Sequence, residues 1–170
     1  MEIFMKTNKK KSLPIRLIKY FAYVVLQLSW GLPASLLGFF VFLVSIKRPH
    51  EFYHGCILTR WGKKTGLSLG LFVFVPGKKS RNADPIEVHE YGHTLQNLIL
   101  GPFYLILGFV SLVSANTPKY IRMRKEHDIP YSYCFTVEWA NILGEKVLNE
   151  PSIEAGERRK WHAKKKLIRS

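Results

Sequence analysis

The sequence predicts a mainly α, membrane-embedded fold: two hydrophobic helical segments, with a small β element just before a helix that carries H-E-x-x-H. Three observations predict it. Two stretches, Tyr20 to Ile46 and Thr94 to Pro118, contain no Asp, Glu, Lys or Arg. About 20 apolar residues cross the hydrocarbon core as a helix, and two such runs are too much apolar surface for a 170-residue chain to bury as a helix pair. Between them lies a segment rich in β-branched and aromatic residues, Gly66 to Val75. It is followed by His89-Glu90-Tyr91-Gly92-His93, at the entrance to the second run. The chain divides into a basic arm (1–19), a membrane-embedded domain (20–145) and a basic tail (146–170).

In chain order, the arm is polar, with Lys9, Lys10, Lys11, Arg16 and Lys19 flanking the first run. That run is too long for the core of a cleavable signal peptide and reads as a retained anchor. It contains Gly31-Leu32-Pro33, and the second run contains Gly101-Pro102. Proline removes a helical hydrogen bond and glycine tolerates a sharp bend, so each run reads as a hairpin that enters and leaves by one face. The alternative is a kinked helix that crosses. Two simple crossings would place the basic middle segment opposite both termini, against the positive-inside bias, and would carry the chain away from His93. The Gly66–Val75 segment reads as one or two strands ending in the turn Pro76-Gly77-Lys78-Lys79. Asp84-Pro85 is a helix start, with Asp84 as N-cap and Pro85 at the first helical position.

Residues four apart share a helix face, so His89 and His93 can offer two imidazoles to one metal ion. Glu90 lies about 100° around the helix from His89, within reach of a metal-held water without being a ligand. Zn²⁺ suits two imidazoles plus a carboxylate and keeps a fourth position open. The extended pattern H-E-x-x-H-x-x-G-x-x-H is absent, because Gln96 and Ile99 occupy its glycine and histidine positions. The third ligand must come from elsewhere. Glu138 stands out among the later acidic residues because it sits in the mostly apolar run Phe135–Gly144, where a lone carboxylate is expensive to bury unpaired.

H-E-x-x-H followed by a helix carrying E-x-x-A resembles the gluzincin branch of zinc metallopeptidases. H-E-Y-G-H running into a hydrophobic stretch, with a later Glu-Trp-Ala-Asn segment, is also similar to small bacterial membrane proteins over about residues 20–145. The resemblance implies a zincin-like domain with His89, His93 and Glu138 as zinc ligands and Glu90 as general base. It also implies that an edge strand before the motif helix holds substrate extended; the alternative is a hairpin that only caps the membrane segments. One departure concerns the residue that orients a ligand histidine. Several gluzincins use an acidic residue there, whereas this chain has Asn141 and Ile142. An asparagine still accepts from an imidazole N–H, less strongly than a carboxylate.

The net charge of +14 does not point to nucleic acid. Lys and Arg number 6 before Tyr20, 8 between Lys47 and Arg81 and 12 after Pro118, flanking the apolar runs. Such residues are expected on the cytoplasmic face of a bacterial inner membrane, against anionic lipid headgroups. No zinc-finger spacing or aromatic RNA-binding motif accompanies them. His50, His54, His127 and His162 lack ligand spacing to the motif and read as surface or structural residues. Tyr131 and Tyr133 read as interfacial aromatics, with an oxyanion-donor role as the alternative. Cys56 and Cys134 show no C-x-x-C spacing. Two functions remain: a membrane-bound zinc metallopeptidase acting on a peptide or protein substrate, or a non-catalytic membrane protein with a structural or vestigial zinc site. Glu90 separates them, since a structural site needs no base and closes with a fourth protein ligand.

Overall fold

A computed structural model describes residues 13–77, 84–127, 129 and 134–169, and among these it has four short strands and seven α-helices. Tyr131 and Tyr133 lie outside the described residues. In order the elements are α1 (Leu13–Leu28), α2 (Leu32–Val44), β1 (His50–Tyr53), β2 (Cys56–Trp61), β3 (Leu67–Leu69), β4 (Phe72–Pro76), α3 (Pro85–Leu100), α4 (Tyr104–Asn116), α5 (Pro118–Glu126), α6 (Phe135–Leu148) and α7 (Ala155–Arg169). Helix thus begins at Leu13, within the segment the sequence reads as arm. Helix α6 runs to Leu148, three residues past the expected end of the central domain.

The strands make one mixed sheet in the order β1-β2-β4-β3, with β2 and β4 parallel and both outer pairs antiparallel. The segment read as one or two strands is the β3–β4 hairpin, and β1 and β2 precede it. Val73, Phe74 and Val75 of β4 are fully buried, and α2 and α3 both pack on the β3–β4 half. This explains why β4 (Phe72-Val73-Phe74-Val75) is continuously apolar instead of alternating. Arg60 on β2 pairs with Glu51 on β1 at 2.8 Å and with Glu87 in the first turn of α3, fastening the motif helix to the sheet. Asp84 caps α3 as expected, its carboxylate accepting from the Ile86 amide at 3.2 Å.

Both hydrophobic runs bend at their glycine–proline breaks. Helices α1 and α2 meet at 93° around Ser29–Gly31. The helical stretch Pro85–Asn116, 32 residues, is long and apolar enough by length and composition to cross a membrane. A 3₁₀ turn at Gly101–Phe103 interrupts it, with Gly101 at φ 55°, a left-handed value that favours glycine. Contacts across this turn show that the stretch is bent. Ser111 on α4 bonds Thr136 Oγ1 at 2.6 Å, and the Thr136 carbonyl accepts from Gln96 on α3 at 2.8 Å. A straight helix would set Ser111 about 22 Å along the axis from Gln96, farther than a bridge through one threonine can reach.

A buried polar network locks the first bend to α3. Gln27 donates to the Thr94 carbonyl at 3.0 Å, Asn97 Nδ2 donates to Gln27 Oε1, and Ser35 Oγ donates to the Gln27 carbonyl at 2.8 Å. The outward faces of α1, α2 and α4 are apolar and uncovered, with Phe21, Phe40, Ile106, Phe109 and Leu112 all exposed.

Candidate metal centre

Helix α3 carries the motif and lies against α6 with small residues at the crossing. A side chain on Gly92 would collide with the Ala140 carbonyl, and one on Gly144 with the Val88 carbonyl. This close approach brings Asn141 to the motif. Its Oδ1 lies 2.7 Å from His89 Nδ1. An amide oxygen only accepts, so His89 carries its proton on Nδ1 and keeps a lone pair on Nε2.

His93 is held the same way from its own helix, with Nδ1 2.7 Å from Gln96 Oε1. The Gln96 amide nitrogen donates to the Thr136 carbonyl, which fixes which end of the side chain faces the histidine. The two imidazole centroids are 4.7 Å apart at 80°. Each ring is therefore tethered at Nδ1, with Nε2 left as an electron-pair donor. That is the state a zinc-ligating histidine needs. Gln96, which breaks the extended zincin pattern in sequence, is the residue that orients His93.

Glu90 is buried on the sheet side of α3. Ser68 on β3 places its hydroxyl 2.6 Å from Glu90 Oε2 and 2.8 Å from the Glu90 carbonyl. Gly66, just before β3, leaves the space that the Glu90 carboxyl fills, and a side chain there would overlap it. Tyr104, the first residue of α4, donates to the Ser68 carbonyl at 2.9 Å, and its ring centroid lies 6.5 Å from that of His93. Ser68, Gly66 and Tyr104 were not legible as site residues. Only the fold brings them beside the motif.

Glu138 sits one turn before Asn141, in the first turn of α6, and is partly exposed. Its Oε1 lies 2.6 Å from Nε2 of His162 on α7. Among the described residues, no three His, Cys, Asp or Glu side chains are grouped closely enough to hold a metal ion. The fit to zinc is therefore partial: His89 and His93 each keep an Nε2 lone pair, while Glu138 pairs with His162 on α7. Of the other histidines, read as surface or structural residues, His50 lies 3.0 Å from Thr59 Oγ1 and His162 is paired with Glu138. Cys56 and Cys134 are free thiols.

Comparison with family models, with curated proteins and with solved structures finds no match to this chain.

Proposed function

We propose that this chain is a zinc-dependent peptidase seated at a membrane surface, with His89, His93 and Glu138 holding the metal and Glu90 acting as general base. The observation that carries the reading is the pair of imidazoles tethered at Nδ1 by Asn141 and Gln96, with a buried carboxylate on the next residue. A structural pair of histidines has no need of that carboxylate. Burying it costs free energy that Ser68 only partly offsets. Zinc bound there would supply a Lewis acid that activates water and polarises a peptide carbonyl.

The residues around it divide the remaining work. Glu90 accepts the proton of the attacking water at a carboxylate oxygen and returns it to the leaving amine. Ser68 holds the Glu90 carboxylate in place through Oε2. Asn141 and Gln96 keep both imidazoles in one tautomer and one orientation. Strand β3 is the sheet edge nearest Glu90, so an extended substrate would pair along it once the Tyr104 hydroxyl leaves the Ser68 carbonyl.

The membrane setting rests on the uncovered apolar faces of α1, α2 and α4 and on Lys47, Arg48, Lys119, Arg122 and Lys125 beyond their ends. Apolar hairpins rimmed by cations suit a bilayer with anionic headgroups, entered from one face. In this reading the three basic segments share that face. Impermeant thiol labelling of Lys79→Cys and Lys165→Cys, in a background lacking Cys56 and Cys134, tests it. Labelling from opposite sides excludes the hairpin arrangement.

A second reading, a structural or vestigial zinc site, is favoured by one observation: Glu138 is engaged by His162 instead of facing the histidines. Glu90→Gln separates the two. It keeps the shape, removes the base and is expected to cost about 10² to 10⁴ in peptide hydrolysis with zinc binding intact. Substrates are found by comparing the proteomes of cells carrying wild type and Glu90→Gln. A Glu90→Gln strain indistinguishable from wild type, beside a defective His89→Ala strain, supports the structural reading instead.

A further inference from the structure

Helix α7 lies along α6 at two rungs. Arg158 makes a two-pronged pair with Glu145, at 2.6 and 2.7 Å, and His162 bonds Glu138 at 2.6 Å. Glu138 and Glu145 are seven residues apart on α6, so they lie on one face. Arg158 and His162 are four apart on α7, again on one face. Residue numbers rise along α7 as they fall along α6, so the two helices run antiparallel. The Glu145 rung is reinforced by Ser152, whose hydroxyl and amide reach Glu145 Oε1 at 2.7 and 3.2 Å. The outer rung is weaker: the His162 side chain is 48% exposed and that of Glu138 is 23% exposed. A strong inner rung thus delivers a weaker outer one to the carboxylate that the metal reading needs.

We propose that α7 is a strap that competes with zinc for Glu138, so that metal loading and release of the outer half of α7 are one coupled event. The proposal rests on the metal reading above, in which Glu138 is the third ligand. With His162 on Oε1, Glu138 belongs to no group of metal-holding size among the described residues. In the proposal, engagement by His162 and engagement by metal are alternative positions of the Glu138 side chain. Coupling of this kind is reciprocal: whatever weakens the strap strengthens zinc binding, and zinc must loosen the strap.

The same geometry separates this role from a supporting one. A histidine that merely oriented a ligand carboxylate would raise metal affinity, and its loss would lower it. A strap has the opposite sign. The expected size is small, because a half-exposed charged contact is worth roughly a few-fold in an equilibrium constant.

The test uses the full-length chain in detergent, stripped of metal, with zinc affinity measured by competition against a chromogenic chelator. His162→Ala is expected to bind zinc roughly threefold more tightly than wild type. His162→Gln, which keeps an N–H donor, is expected to lie nearer wild type. In a Glu138→Ala background, His162→Ala is expected to change nothing. Amide exchange in α7 is expected to quicken on adding zinc to wild type and to stay unchanged in Glu138→Ala. Equal or weaker zinc binding by His162→Ala, or slower α7 exchange with zinc, overturns the strap while leaving the metal reading in place. Failure of wild type and His162→Ala alike to bind zinc through His89 and His93 overturns both.

Discussion

The block formed by the sheet, α3 and α6 and the outer surface formed by α1, α2 and α4 are organised in opposite senses. In the block the fully buried side chains include Gln96, Asn97 and Asn141, and Gln27 of α1 is buried against them. On the outer surface Phe21 is 72% exposed and Phe109 67%. A water-soluble domain buries its apolar side chains and solvates its amides. Here amides are buried beside the apolar sheet core, bonded to helix breaks and to imidazoles, while several aromatics of the outer helices are exposed. The difference teaches that the two regions follow different rules: an apolar outer surface, which the proposed membrane setting would place against hydrocarbon, and a small polar interior that holds the motif helix in one place. Polar interiors of this kind are costly unless satisfied, and their satisfaction specifies one arrangement.

The largest expected effect comes from forcing the block apart. Gly92→Val places a branched side chain where the Ala140 carbonyl lies. Overpacking at a helix crossing costs about 3 kcal/mol or more, so the variant is expected to separate α6 from α3 and lose both zinc and thermal stability. Normal melting and normal zinc content in that variant would mean that the crossing does not position the site.

Removing one buried amide should be milder and more specific. Asn141→Leu takes away the His89 Nδ1 acceptor while filling similar space. It is expected to weaken zinc binding by roughly 10- to 100-fold, the usual weight of such an orienting contact. Asn141→Asp is expected to bind at least as tightly as wild type, since a carboxylate accepts more strongly. Chelator competition reads both.

The outer surface is tested by partitioning. Phe21→Ala, Phe40→Ala and Phe109→Ala should each weaken association with anionic vesicles by roughly tenfold, about 1.4 kcal/mol. Zinc affinity in detergent should stay unchanged. A loss of zinc in these variants would show that the two regions are not separable.

The smallest effect concerns pH. Burial alone raises the Glu145 carboxyl, but the Ser152 hydroxyl and amide and the Arg158 guanidinium outweigh it and hold the group below the usual carboxylate range. A carboxyl depressed in the folded state stabilises above its unfolded value, near pH 4.3, and that contribution is lost as pH falls through the lower folded value. Amide exchange in α7 is therefore expected to be flat from neutral pH down to about 5 and to quicken below about 4. Arg158→Gln should shrink the step, since the Ser152 hydroxyl and amide still hold Glu145.

The sequence reading reached local features and missed what depends on tertiary contact. Asp84-Pro85 caps α3 because N-capping is set by the adjacent residues. Gly31-Leu32-Pro33 and Gly101-Pro102 mark the bends because backbone geometry is written in those residue types. Strands β1 and β2 were not separated from their surroundings: His50–Tyr53 is too short to show a pattern, and Cys56–Trp61 is buried on nearly every residue. Asn141, beside Ile142, was a candidate partner for a motif histidine only through the gluzincin resemblance, in which a residue one turn after the third ligand orients a histidine. Ser68, Gly66 and Tyr104 reach Glu90 and His93 only through the β3–β4 hairpin and the bend at Gly101. No local pattern records such meetings. His162 pairs with Glu138 across two helices, so its spacing from the motif carried no signal.

Zinc content of the purified full-length chain is the most direct test of the metal centre. The account predicts about one zinc per chain in wild type, a sharp loss in His89→Ala, His93→Ala and Glu138→Ala, and full occupancy in Glu90→Gln. Zinc retained at wild-type affinity by His89→Ala and His93→Ala would contradict it, because a metal held without those imidazoles is not held at this site.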